Sequence, residues 1–219
     1  MITLDFLAVL RDWPSLVQGL AMTTALTLVA AVLGVSLGIA CAWARVNAST
    51  PFRVVVAVYV ELIRNTPFIV QLFFIFFGLP GLGIKLSPEA ASVLAMVINL
   101  GAYSAEIVRA GLEATPRGQT EAGESLALSR TQIFLHVVLP PSLARVWPAL
   151  ASQIVIVMLG SAVCGQIAAQ ELSYFANLIQ SRNFRAFEAF IIAAVLYLGL
   201  AVALRALLNA IGRRWLLVR

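Results

Sequence analysis

The chain has 219 residues, of which 61% are hydrophobic and only 11% charged, with a formal net charge of +5. A mean hydropathy of +0.96 exceeds what a water-soluble domain can carry, because such a domain must cover its surface with polar groups. The composition excludes a soluble enzyme or a soluble binding module, and the positive charge has to be explained by where the basic residues fall.

Residues 1 to 14 interleave Leu4, Leu7, Leu10 and Trp13 with Asp5, Arg11 and Asp12. That is the pattern of an interfacial amphipathic helix, and Pro14 is expected to break it. No Lys or Arg precedes residue 11, and the apolar run that follows is longer than a signal-peptide core, so the first span is expected to stay in the mature protein. Residues 16 to 44, 65 to 84 and 146 to 170 hold no Asp, Glu, Lys or Arg. Two further stretches, 90 to 108 and 189 to 208, have charge-free cores of 16 residues (90 to 105 and 189 to 204). About 20 apolar residues, at 1.5 Å each, cross ~30 Å of hydrocarbon. Runs this uniformly apolar lack the alternation of barrel strands, so the sequence predicts five transmembrane helices in an all-α membrane protein.

The first span carries Gly34 and Gly38 at the small-xxx-small spacing that lets another helix approach closely. The second begins near Val54, is interrupted at Thr66-Pro67, and ends in the Gly- and Pro-rich turn 78 to 83. Cys41 and Cys164 fall inside spans without metal spacing and read as small packing residues. With five spans the basic residues sort onto alternate sides. Arg45, Arg53, Arg109, Arg117, Arg130, Arg145, Arg205, Arg213, Arg214 and Arg219 share one side, Arg11, Lys85, Arg182 and Arg185 the other, and Arg64 lies inside a span. This asymmetry is that of a membrane protein with its N-terminus outside and its C-terminus in the cytoplasm, not of a nucleic-acid binder. The polar segment of about 110 to 144 is then cytoplasmic. It is expected to form a helix over 121 to 128, capped by Thr120 and stopped before Pro140-Pro141, within a single membrane domain over 1 to 219.

That segment also carries a recognisable motif. Glu121-Ala122-Gly123, then Ala127, then Val137-Val138-Leu139-Pro140, resembles the EAA loop of ABC importer permeases, in which Glu-Ala-Ala is followed at fixed spacing by Gly and by Ile-x-Leu-Pro. Here Gly123 stands for the second Ala and Ala127 for the Gly. Three further segments resemble the permeases for polar amino acids and opines (the His/Glu/Gln/Arg/opine subfamily). Glu61, Arg64, Thr66 and Pro67 match Glu-x-x-Arg-Gly-Thr-Pro with Asn65 for the Gly; Ala102, Tyr103, Ala105, Glu106 and Arg109 match Ala-Tyr-x-Ala-Glu-x-x-Arg-Gly with Ala110 for the Gly; Pro116 to Gln119 leads into the loop. The likeness extends from about residue 18 to 212.

The resemblance implies a type I ABC importer (MetI-like) permease fold in a bacterial inner membrane, moving a polar amino acid or opine-like molecule by alternating access. It implies two ATPase subunits, a second permease subunit and a soluble substrate-binding protein as partners. ATP and magnesium would sit on the ATPases, since the only lysine, Lys85, precedes Leu86 and no P-loop Lys-Ser/Thr exists here. This chain would bind no cofactor and catalyse no reaction. Glu121, Ala122, Gly123, Ala127, Leu128 and Ser129 would form the coupling helix that docks on the ATPase. Glu121 is also read as standing in the first helical turn, where the macrodipole favours an acid.

Ionisable residues inside a bilayer line polar cavities or pair with one another. Glu61 and Arg64, at i and i+3, share a helix face and are expected to neutralise each other. They read either as the border of the substrate path, where a zwitterion needs a cation and a carboxylate, or as a structural pair at the Pro67 bend. Asn99, Tyr103 and Glu106 form one polar stripe; Glu106 with Arg109 reads as structural or gating. Gln153, Ser161, Gln166 and Gln170 either face the path or bond neighbouring helices. Where the subfamily carries Lys-Asp-Thr-Ser-Leu, residues 159 to 163 read Leu-Gly-Ser-Ala-Val, with Ser161 keeping the hydroxyl. Loss of the charged pair leaves a cargo that is not strongly cationic, or a heterodimer in which the other subunit holds it; the heterodimer is preferred to a homodimer. His136 stands alone, without a metal or catalytic constellation. A secondary transporter or channel would have no use for the loop motif, and a membrane-embedded enzyme would need a cluster of His or carboxylates.

Overall fold

The computed structural model describes residues 4 to 215; residues 1 to 3 of the N-terminal segment, and Arg219 among the basic residues, lie outside them. Ten α-helices are described: α1 (Phe6–Leu10), α2 (Trp13–Asn47), α3 (Thr50–Arg64), α4 (Phe68–Phe73), α5 (Pro88–Glu113), α6 (Arg117–Ser125), α7 (Arg130–Gln132), α8 (Leu139–Gly160), α9 (Leu172–Asn183) and α10 (Ala186–Trp215). Among the described residues there is no β-strand. Four continuous helical runs are long and apolar enough to span: Trp13–Asn47, Pro88–Glu113, Arg130–Ile167 and Ala186–Arg214. The pair Thr50–Arg64 and Phe68–Leu82 is long and apolar enough only when taken together, as a broken span or a re-entrant loop, so the described residues hold four or five candidate spans; the helix breaks at Asn65, Thr66 and Pro67. The break falls at the expected dipeptide, because Pro67 has no N–H to give and drives the residue before it out of the α region.

The chain folds as two compact units, each drawn from three stretches of sequence. The first comprises residues through Ala30, Pro67–Met96 and Val155–Leu204. Its core joins Val9, Leu16, Leu172, Ala176, Ile179, Ala189 and Ala193, with Leu20, Ile192, Leu196 and Tyr197 packed around them. The N-terminal helix is shorter than expected. Asp5 caps α1: its carboxylate accepts from the N–H of Ala8 at 3.2 Å, while its own N–H donates to Glu188 at 3.0 Å. Val9 is fully buried and Leu7 is 72% exposed, so α1 packs by one side against the unit. Pro14 does not break a helix. It is the second residue of α2, where a missing N–H costs nothing because the first turn has no partner for it.

The second unit comprises Ala31–Thr66, Val97–Ile154 and residues from Arg205 on. Gly34 and Gly38 do mark a helix contact: a Cβ on Gly38 would lie 2.4 Å from Cβ of Ser104 and 2.9 Å from N of Ala105. α2 and α5 therefore touch at backbone distance, which van der Waals packing favours in a lipid solvent. Around this seam Cys41, Val60, Ala102 and Ala105 are buried together. A second cluster gathers Ala42, Val108, Leu112, Phe134, Leu139 and Leu150. Both cysteines are buried and free, as packing residues are.

Two local expectations fail in the polar segment. Thr120 caps nothing: α6 starts at Arg117 behind an extended Pro116, which supplies the boundary itself. Glu121 accordingly lies beyond the first turn. Pro140 and Pro141 do not stop a helix either. The run continues from Arg130 to Ile167, because the π-helical turn Ile133–Val138 widens the helix where the proline rings would otherwise meet the preceding carbonyls, and both prolines then fall in the first turn of α8.

Candidate functional site

The break after α3 exposes Glu61, Arg64, Asn65, Thr66 and Pro67. Side chains bond the last carbonyls of the helix: Asn65 Nδ2 donates at 2.8 Å to Glu61 O, which also accepts the Asn65 N–H, and Thr66 Oγ1 donates to Leu62 O at 2.8 Å. Asn65 Nδ2 also reaches the Glu61 carboxylate at 3.0 Å. The expected Glu61–Arg64 pair does not form. Arg64 turns instead toward α5, where its Cζ lies 5.7 Å from the centroid of the Tyr103 ring and Tyr103 donates its hydroxyl to Arg64 O at 3.4 Å. The ring face attracts the cation, and the nearest carboxylate on that side is Glu106.

Glu106 is the centre of a charged cluster within the second unit. Arg109 Nη2 approaches it to 2.8 Å, Arg45 Nη1 to 3.3 Å and Arg64 Nη1 to 3.8 Å. Arg109 also pairs with Glu113 one turn further along. One carboxylate thus links α2, α3 and α5 near the ends of all three. The side chains keep 18 to 38% of their exposure, so water screens each pair and holds its contribution to about 1 kcal/mol or less. Of the expected polar stripe, Tyr103 and Glu106 meet Arg64, while Asn99 is buried two turns back from Glu106 on the same helix. Gln153 is half-buried on α8. Ser161 belongs to the first unit, fully buried, with its hydroxyl donated to Met158 O at 2.6 Å. Gln166 and Gln170 are exposed.

The loop motif builds a helical hairpin. Gly123 is buried against the π turn, where a Cβ would lie 2.8 Å from Cγ1 of Ile133. Glu121 and Ala122 are exposed, and Leu126 is 74% exposed. α6 ends in a Schellman motif: Leu128 N–H donates to Gly123 O and Ala127 N–H to Glu124 O, with Ala127 at φ +54°. Ala127 therefore occupies the left-handed position that suits the Gly of the motif. The helix starts and ends earlier than the sequence indicated: α6 runs Arg117–Ser125, so Ala127 and Leu128 lie beyond it and Ser129 caps α7 in a capping box with Gln132. Between α6 and the ends of α2 and α5 lies a cavity of about 570 Å³, lined by Asn47, Glu113, Arg117, Thr120, Glu124 and Arg130 among others. His136 is exposed, its Nδ1 3.1 Å from Gln132 O.

Glu171 has no counterpart among the residues singled out from the sequence. In the first unit it is fully buried, caps α9 by accepting from Tyr174 N–H at 2.8 Å, and accepts the hydroxyl of Tyr197 from α10. The adjoining Leu172 N–H donates to Thr23 Oγ1 of α2 at 3.2 Å. Its one signal in sequence is an acid immediately ahead of a helix, the position where open N–H groups need an acceptor; no sequence spacing encodes the three-helix network around it.

This arrangement agrees with the comparisons to known proteins. Residues 34–217 match the family described as "Binding-protein-dependent transport system inner membrane component". The chain is 33% identical over 192 residues to the probable glutamine ABC transporter permease protein GlnM of Bacillus subtilis, covering 86% of this chain and 89% of that one. It is 34% identical over 203 residues to the L-cystine transport system permease protein TcyB of the same organism, covering 92% and 87%. The crystal structure of an amino acid ABC transporter with histidines superposes with a TM-score of 0.86 at 35% identity, covering 97% of this chain and all of that one. The chain belongs to the family of binding-protein-dependent transport system inner membrane components. It is a multi-pass inner-membrane permease subunit of an ABC importer, with the type I importer permease fold.

Proposed function

We propose that the chain forms, with a second permease subunit, the path by which a polar α-amino acid delivered by a soluble binding protein reaches the cytoplasm. Two ATPase subunits bind ATP and magnesium and drive the cycle; this chain is the non-catalytic path. The N-terminus lies outside and the C-terminus in the cytoplasm, which puts the α6 hairpin on the ATPase side. Glu121, Ala122, Ala127, Leu128 and Ser129 meet the ATPase, and Gly123 supports them from within by seating α6 on Ile133.

The observation that carries this reading is the break at Asn65 to Pro67 with its exposed Glu61 and Arg64. Non-helical backbone at membrane depth is tolerated where it lines a watery cavity or is buried in protein, and this one is exposed. A carboxylate and a guanidinium one turn apart complement the ammonium and carboxylate of an α-amino acid. The glutamine and cystine assignments of the two B. subtilis relatives are of that class.

Co-purification in detergent tests the assembly. Co-expressed with its ATPase and second permease subunit, the wild-type chain is expected to bring down ATPase activity, and Glu121→Arg to lose it while keeping the permease partner. Glutamine uptake in vesicles by a chain that never retains an ATPase would instead point to a secondary transporter.

A further inference from the structure

Arg64 is charge-paired but not hydrogen-bonded. A guanidinium offers five N–H donors in a planar fork. The Arg64 side chain donates no hydrogen bond among the described residues, and its nearest carboxylate oxygen, on Glu106, is 3.8 Å away, beyond hydrogen-bond length. Its position is nevertheless fixed, by the Tyr103 ring beneath it and the Tyr103 hydroxyl on its backbone oxygen. Glu106 does not depend on Arg64 in return. Arg109 meets both of its oxygens, at 2.8 to 3.2 Å, and Arg45 adds a contact at 3.3 Å. The pair is therefore asymmetric: Glu106 can release Arg64 with two guanidiniums still in place.

We infer that Glu106 competes with the carboxylate of the cargo for Arg64, and so sets how weakly the path holds what it carries. This rests on the reading above, that an α-amino acid passes Arg64. An incoming carboxylate can take the guanidinium fork by two short, charge-assisted bonds. It does so against the negative charge of Glu106, which already screens the cation. A path has to bind its cargo well enough to admit it and weakly enough to let it go; a resident carboxylate at the edge of the site lowers affinity without closing the route. Glu106 is a positioning residue here, acting on the cargo through Arg64.

The experiment uses the purified permease–ATPase complex in nanodiscs without the binding protein, so that only the membrane site is read. Equilibrium binding of radiolabelled L-glutamine, L-arginine and L-cystine is measured, with L-glutamine α-amide as a probe that lacks the carboxylate. Glu106→Gln is expected to tighten amino-acid binding roughly two- to fivefold, the range of a half-exposed ion pair, and to leave the α-amide unchanged. Arg45→Gln, which leaves Glu106 with fewer partners, moves affinity the other way. In an Arg64→Gln background the Glu106→Gln effect disappears. Should Glu106→Gln fail to assemble, Glu106→Asp, which draws the carboxylate back by one methylene, is expected to give a smaller tightening. Amino-acid binding by Glu106→Gln that is unchanged or weaker overturns the proposal, as does a gain that persists without Arg64. A wild-type complex that binds none of the three amino acids overturns the transport reading and this inference with it.

Discussion

Tyr197 of α10 donates its hydroxyl hydrogen to the carboxylate of Glu171, a side chain with no exposure at all. An acid buried with no cation beside it among the described residues can only be held by donors, and here they are the Tyr174 N–H and the Ser173 hydroxyl on one carboxylate oxygen and the Tyr197 phenol on the other. Removing one leaves a buried oxygen short of a partner. Tyr197→Phe is therefore expected to destabilise the protein by about 1–3 kcal/mol, read as a lower thermal unfolding midpoint in detergent. An unchanged midpoint would mean that the hydroxyl is dispensable.

At the α2–α5 seam the limit is steric. Gly38→Val would drive a side chain into Ser104 Cβ and the backbone of Ala105, and is expected to cost about 1–3 kcal/mol through overpacking. Ser104→Gly removes the nearest of these atoms, so the double variant should recover part of the loss. Equal midpoints for the single and double variants would place the clash elsewhere.

Ala127 offers a gain. At φ +54° an L-residue with a Cβ is strained by about 1–2 kcal/mol, whereas Gly is not. Ala127→Gly should stabilise the hairpin by up to about 1 kcal/mol once the added freedom of the unfolded chain is subtracted, and Ala127→Val should destabilise it. Limited proteolysis of the 117 to 132 segment, fast for the valine variant and slow for the glycine variant, checks the order.

The same hairpin separates support from contact. Gly123→Leu would push against Ile133, the residue on which α6 rests, at a cost of about 1–3 kcal/mol. It is expected to weaken ATPase retention although residue 123 is buried, and Ile133→Ala should restore retention in part. A Gly123→Leu complex as firm as wild type would show that α6 need not sit where it does.

Features set by one residue and its neighbours are legible in the amino-acid sequence alone. The apolar runs mark the helices, Thr66-Pro67 marks the break, and Gly34 and Gly38 mark the close contact. Features set by a partner far along the chain are not legible in this way. Arg64 shares a helix face with Glu61, yet it follows the ring of Tyr103 to Glu106, and no helical spacing encodes that choice. Glu171 stands out only as an acid ahead of a helix: Ser173 and Tyr174 donate to it locally, but its third donor, Tyr197, comes from another helix. Local rules also mislead where the backbone has another option. Pro140 and Pro141 should end a helix, but a π turn ahead of them lets it continue; Thr120 should cap one, but Pro116 starts it a turn earlier.

Whether this chain is the path of an ATP-driven amino-acid importer is measured most directly by uptake. Proteoliposomes containing the chain, its permease partner and the ATPase, given the binding protein outside and ATP inside, are expected to accumulate radiolabelled L-glutamine or another polar amino acid. Accumulation should stop when either ATP or the binding protein is withheld. Uptake that continues without ATP, driven by an ion gradient alone, would contradict the account.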